Sequence, residues 1–394
     1  MSEQMRQIPV ARPVLAEAEV EAVRRVVLSG WVTQGPEVAA FESDFAALVG
    51  ADHACAVSNC TTALHLALLA VGAGPASEVV TVSHSFIATA NAIRYCGALP
   101  VFVDIEEGGF NIDPSLIENA ITPATAAILC VHQLGMPCDI AAIVEIGRRR
   151  GIPVIEDAAC ATGSAVRSEG RWQSIGAPHG DIACFSFHPR KVVTTGDGGM
   201  LTTANADFDA KFRLWRQHGM SVSDTVRHGA RQVIYETYPE LGFNYRMTDL
   251  QAAIGREQLR RLPEIVGRRR EIAARYGEGL ASIGGLAIPR EPDWAQSNWQ
   301  SYCVGLPDGT DQRAVMQALL DRGIATRRAV MNTHLEAAYA APGSFRAATQ
   351  LKRSERAQAR AIMLPLYVQM SDTDIDFVVE ALADAVKDML LSAA

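Results

Sequence analysis

The chain has 394 residues, 48% hydrophobic and 20% charged, with a net charge of -8. That length and apolar content allow two to three domains, or one large and one smaller, around a sizeable core, and exclude disorder as the main state. The acidic balance argues against nucleic acid as a partner, because such proteins usually carry a basic face.

The N-terminal stretch MSEQMRQIPVARP has no apolar core of the kind a secretory leader needs. Strand patterns then alternate with helical ones through residue 218. Strands are expected at Ala54–Val57, Glu78–Val82, Leu99–Val103, Ala126–Val131, Ile152–Ile155, Ile182–Phe187 and Met200–Thr203. Helices are expected at Thr61–Val71, Ser85–Cys96, Ile140–Arg150 and Asp207–His218. This alternation predicts a mostly parallel, mixed sheet flanked by helices, with ligands beyond the carboxyl ends of its strands. The pattern changes near Thr248, where a helical stretch rich in Arg and Glu runs to Gly279. A strand (Tyr302–Leu306) and helices at Gln312–Asp321, Arg353–Ala361 and Thr373–Leu390 follow. Residues 1–250 are therefore expected to form an N-terminal arm and a large α/β domain, and residues 251–394 a smaller α+β domain. The basic runs Arg148–Arg150 and Arg268–Arg270 are expected to be solvated helix faces. The longest uncharged stretch, 120–138, is broken by Pro123, His132, Gln133 and Pro137, so no membrane span is expected. Eight cysteines without short pair spacing read as buried thiols in a reducing compartment, and they offer no metal site. The expected location is the cytoplasm.

Three segments carry chemistry. In SNCTTALHLAL (Ser58–Leu68) a strand ends, small polar residues follow and a helix opens. The free N–H groups at such a start bind anions, although ordinary capping by Ser58 or Asn59 explains the same residues. The Gly-Lys-Thr of a nucleotide-binding loop and the GxGxxG dinucleotide turn are both missing. In VIEDAAC (Val154–Cys160) the acids Glu156 and Asp157 stand at a strand's carboxyl end. There a carboxylate needs a metal, a base, a cationic ring nitrogen or a helix cap as its purpose. In CFSFHPRKVVTTGDGGM (Cys184–Met200) a strand runs into Lys191. The chain holds 36 basic residues but only four lysines, Lys191, Lys211, Lys352 and Lys387. Where arginine is so strongly preferred, a lysine in an apolar turn points to imine chemistry, and burial there is expected to lower its pKa. An anion cradle, an acid and an isolated lysine together suit pyridoxal phosphate.

With these segments in place, the sequence resembles the DegT/StrS sugar aminotransferases, which are fold type I pyridoxal-phosphate enzymes. The resemblance also rests on GWVTQGPEV (Gly30–Val38), SHSFIATANAI (Ser83–Ile93), PVFVDI (Pro100–Ile105) and LGFNYRMTDLQAAIG (Leu241–Gly255). It implies that Lys191 is the Schiff-base lysine and proton shuttle, and that Asp157 pairs with the cofactor's ring nitrogen. Phe86 would stack on the ring. Cys60, Thr61 and Ser186 would hold the phosphate. Asn244 would reach the phosphate in the other subunit of a homodimer whose active sites lie at the interface. The implied reaction moves an amino group from glutamate to a keto sugar, most simply a nucleotide-linked 4-keto sugar, in a ping-pong cycle through pyridoxamine phosphate. Aminotransfer to a cyclitol or other small ketone, dehydration of a sugar and a non-catalytic regulatory dimer are the alternatives. A related dehydratase branch has histidine at the lysine position, so Lys191 speaks against that one.

The chain departs from the family's usual pattern in three places. Cys160 stands where Gln commonly bonds the cofactor's phenolic oxygen, and a thiol is a weak donor. NWQSY (Asn298–Tyr302) replaces a Trp-His pattern. ATRRAVMNTHLEAAY (Ala325–Tyr339) replaces the family's usual loop over the substrate. Trp299, Arg327, Arg328 and His334 are the substrate-facing candidates in these segments. The two arginines suit a phosphate or carboxylate, with a solvent-facing pair as the alternative.

Overall fold

The computed structural model describes residues 6–177 and 179–393. Two helices, α1 (Glu17–Ser29) and α2 (Pro36–Val49), precede the alternating region. That region runs β1 (His53–Val57), α3 (Cys60–Ala70), β2 (Glu78–Val82), α4 (Ala88–Tyr95), β3 (Leu99–Val103), α5 (Pro114–Ala120), β4 (Thr125–Val131), α6 (Ile140–Arg150) and β5 (Val154–Asp157). A hairpin of β6 (Ala165–Ser168) and β7 (Arg171–Ser174) leads to β8 (Ile182–Ser186), β9 (Gly199–Thr203), α7 (Ala206–Trp215) and α8 (Asp224–Gly229). After α9 (Asp249–Leu280) come β10 (Ala295–Gln296), β11 (Tyr302–Gly305), α10 (Gln312–Asp321), β12 (Arg327–Arg328), β13 (Arg346–Ala347), α11 (Lys352–Arg360), β14 (Ala361–Leu364) and α12 (Asp372–Ala393).

The main sheet has eight strands in the order β1-β9-β8-β5-β4-β2-β3-β13. Only β9 runs against the others. Its central strands are apolar along their length because helices cover both faces. On one face Phe41 and Phe45 of α2 pack edge-on against Phe185 and Phe187. A second core cluster joins α9, α10 and α12 to the three-stranded sheet β11-β14-β12. This is the mixed, mostly parallel layered architecture that the alternation predicts. The chain beyond residue 250 also reaches back, since β13 pairs with β3 and β10 with β6.

Local chemistry sets the element ends. Asn59 caps α3, Asp139 caps α6, and Thr248 with Gln251 forms a capping box on α9. Asp249 caps a different helix. Its carboxylate accepts the amides of Gly35 and Val38 at 2.7 and 3.0 Å, and so fixes the start of α2. Glu42 is buried between Arg216 and Arg213, which also donate to carbonyls of β1.

The two basic runs part company. Arg148, Arg149 and Arg150 are exposed and pair with Glu145 and Glu118. Arg269, expected on a solvated face, is instead 5% exposed and donates to the carbonyls of Trp299, Gln300 and Leu366. Helical spacing turns the middle residue of that run toward the second core, where three loop carbonyls would otherwise lack donors. No helix among the described residues is long and apolar enough to cross a membrane.

Candidate active site

Parallel pairing brings the carboxyl ends of β2, β4, β5 and β8 to one edge of the sheet, and the turn that opens α3 lies there too. A cavity of about 700 Å³ opens at that edge. Lys191, Asp157, Cys60, Thr61, Phe86, Cys160, Ser186, Arg327 and Arg328 all line it. Residues far apart in sequence thus meet where an open α/β sheet binds its ligands.

Asp157 is the last residue of β5, although the sequence placed both acids beyond the strand. Strand alternation sends Asp157 and Glu156 to opposite faces. Glu156 is bound by His132 at 2.9 Å and by the amide of Gly180 at 2.8 Å. Asp157 accepts the Thr89 hydroxyl at 2.8 Å and the amide of Ala159 at 3.2 Å. Ser85 lies 2.7 Å behind Thr89. Thr89 was missed in the sequence, where it reads as one more small residue on a helix. Burial pushes the Asp157 carboxyl above its ordinary range, while the Thr89 and Ala159 hydrogen bonds and the Lys191 charge pull it back.

Lys191 closes a turn after β8, with its amide on the His188 carbonyl at 2.8 Å. Its Nζ donates to the Cys160 sulfur at 3.1 Å. The expected lowering of its pKa is not found. Burial works against the charged amine, but Cys160, Cys60 and Asp157 outweigh it, and the pKa is raised. Cys160 is therefore a neighbour of the lysine.

The anion cradle is visible at the start of α3. Asn59 accepts the Thr62 amide at 3.0 Å, so the cap is the ordinary one. The amides of Cys60 and Thr61 make no hydrogen bond among the described residues and remain available. Gly199 permits this turn to lie against β9, since a Cβ there would sit 2.4 Å from the Asn59 carbonyl carbon and 2.8 Å from the Cys60 nitrogen. Cys60 itself turns its thiol to the Cys184 carbonyl, and burial raises its pKa well above the usual thiol range. Phe86 stands on the wall with 64% of its surface exposed, an apolar face open to a planar ligand.

Two residues expected to face the substrate, Trp299 and His334, do not line the cavity. Trp299 is buried in the second core, stacked on Tyr302 with centroids 5.4 Å apart. Its neighbours brace the site in its place. Asn298 donates to the Cys160 carbonyl and Gln300 to the Arg190 carbonyl, each at 2.8 Å. His334 is held by Ser83 at 2.6 Å and Glu355 at 3.2 Å, which ties its loop to the end of β2. Asn244 is exposed, in a bridge with Gln217, and off the cavity of its own chain.

Residues 13–383 match the model of the DegT/DnrJ/EryC1/StrS aminotransferase family. The chain is 39% identical over 384 residues to the spore coat polysaccharide biosynthesis protein SpsC of Bacillus subtilis (strain 168), covering 96% of this chain and 97% of that one. Among solved structures it resembles the PLP-form of the putative sugar aminotransferase Spr1654 from Streptococcus pneumoniae, with TM-score 0.89 and 26% identity over 98% of this chain and 100% of the other. It also resembles DesI solved in the presence of its TDP-sugar product, with TM-score 0.86 and 31% identity over 98% and 95% of the two chains. The chain belongs to the DegT/DnrJ/EryC1/StrS aminotransferase family.

Proposed function

We infer, from membership of this aminotransferase family, that the chain moves an amino group from glutamate to the ketone of a nucleotide-linked sugar. The observation that carries the reading is one cavity wall on which the Lys191 amine, the buried Asp157 carboxylate and the free amides of Cys60 and Thr61 converge. Those groups fit pyridoxal phosphate. The amides and Ser186 would hold its phosphate, Phe86 would cover its ring, Asp157 would keep its ring nitrogen protonated and Lys191 would bind its aldehyde carbon. When bound, the cofactor supplies a sink for the electrons released at the carbon that bears the amine.

The chain's own residues do the rest. Lys191 Nζ would take the proton from the donor's α-carbon and hold it for transfer within the site. Thr89 and the Ala159 amide favour the carboxylate form of Asp157 against the burial that opposes it. The SpsC and DesI likenesses support a sugar acceptor, and the product seen with DesI supports a nucleotide handle on it. Asn244, exposed and off its own chain's cavity, would serve the site of a second copy in the homodimer that family membership implies. Division near residue 250 and a cytoplasmic location, in keeping with eight free cysteines, belong to the same reading.

The test is a two-stage assay. Cofactor-loaded protein given glutamate alone is expected to change its visible spectrum once. A panel of keto-sugar nucleotides and cyclitol ketones should then restore it, with the product read by mass. Restoration by cyclitols alone would move the substrate class.

A further inference from the structure

Four basic side chains line the cavity, Lys191, Arg190, Arg327 and Arg328, against two carboxylates, Asp157 and Asp197. Lys191 and Asp157 serve the chemistry already described. Arg328 lies 3.8 Å from Glu336. Arg190 and Arg327 make no ion pair among the described residues. They press on each other, since the Arg190 pKa is lowered first by burial and then by the Arg327 charge. Their backbones are anchored while their side chains are exposed to the cavity. The Arg190 carbonyl accepts Gln300 at 2.8 Å, and Arg327 sits in β12, paired across to Met363 of β14. His188 stands beside them. Its Nδ1 accepts the Arg190 amide at 3.2 Å, which places the proton of the neutral ring on Nε2 as a donor. Burial and the neighbouring cations lower its pKa despite the nearby Asp197, and so favour that neutral form.

Two guanidinium groups that hold no ion pair of their own repel each other, and that cost turns into a gain when an oxyanion enters between them. We propose that Arg190 and Arg327, with the His188 ring beside them, form an anion clamp in the cavity that takes a phosphate or carboxylate of the substrate. The clamp deepens the reading above and rests on it only for which substrate brings the anion, the nucleoside diphosphate of the acceptor or a carboxylate of glutamate.

The test uses cofactor-loaded protein, wild type and the variants Arg190→Gln, Arg327→Gln and Arg190→Lys, each checked for an unchanged cofactor spectrum and melting temperature. Equilibrium binding of inorganic pyrophosphate and of glutarate is measured by calorimetry at fixed ionic strength. The two half-reactions are followed in parallel. Each Gln variant is expected to weaken at least one probe about 10-fold, the loss of one charge-assisted hydrogen bond. Arg190→Lys should recover part of it, because charge remains while the fork geometry is lost. Losses with pyrophosphate and in the acceptor KM assign the clamp to the nucleotide. Losses with glutarate and in the glutamate KM assign it to the donor. Unchanged binding of both probes in both Gln variants, or wild-type protein that binds neither, overturns the clamp. A clamp that binds pyrophosphate in a protein that aminates no keto sugar would leave the clamp standing and sink the substrate reading.

Discussion

Thr89→Val is the most direct probe of how Asp157 is kept charged. The hydroxyl donates to Asp157 at 2.8 Å and is backed by Ser85 at 2.7 Å, while 4% of Asp157 is exposed. Valine keeps the shape and removes the donor, and a hydrogen bond to a charged group is worth about 1.5–3 kcal/mol. Burial already holds the Asp157 carboxyl above its ordinary range, and Thr89 opposes that shift. Its loss must therefore raise the carboxyl further. The active form is the carboxylate, so the acid limb of the glutamate half-reaction should move to higher pH. Cofactor affinity near neutral pH should fall about 10-fold, which corresponds to about 1.4 kcal/mol. The assay is single-turnover absorbance against pH, with cofactor titration of the apoprotein alongside. Ser85→Ala should move both quantities the same way by less, because it only orients the hydroxyl. A Thr89→Val protein with the wild-type pH profile and cofactor affinity would refute the argument and leave Thr89 as packing.

Four further outcomes follow from the geometry. Lys191→Ala should lose the borohydride-reducible link to cofactor, and label found on another lysine would displace Lys191 from its role. Gly199→Ala puts a Cβ 2.4 Å from backbone at the start of α3, so cofactor affinity should fall more than the melting temperature does; the reverse order would separate this turn from the phosphate. Glu42 is buried, yet Arg216 and Arg213 overcome the burial and lower its pKa. Its stabilisation is therefore full above the ordinary value of about 4.3 and is lost as pH falls through the lower folded value. Glu42→Gln, which leaves Arg216 buried and unpaired, should cost about 3 kcal/mol or more at pH 7 and converge on wild type in strong acid; a constant gap across pH would show that charge is not the cause. Arg269→Met leaves three carbonyls without their donor and should cost roughly 3 kcal/mol in urea unfolding, whereas a loss under 1 kcal/mol would mean that water replaces the guanidinium.

The alternation of apolar runs with helical patterns, and a lone lysine in a chain of arginines, sufficed for the layered α/β architecture and for placing Asp157 at a strand's carboxyl end and Lys191 in the turn after another strand. Both signals are local. A period of 2 or 3.6 residues is written in neighbouring positions, and a scarce residue type stands out without any partner. What stayed hidden depends on partners distant in sequence. Thr89 meets Asp157 across 68 positions. The strands β10, β12, β13 and β14 span two to four residues each and exist because a neighbour offers them pairing, so no pattern of their own announces them. Arg269 looks like its solvated neighbours until three loop carbonyls come to surround it. Trp299 and His334 sit in the right segments, but their side chains are claimed by Tyr302, Ser83 and Glu355, and other residues face the cavity. The rise in the Lys191 pKa has the same origin. Burial could be read from the apolar turn, but the balance is set by two thiols and a carboxylate that only the folded chain brings together, because electrostatic interaction follows distance in space and not position along the chain.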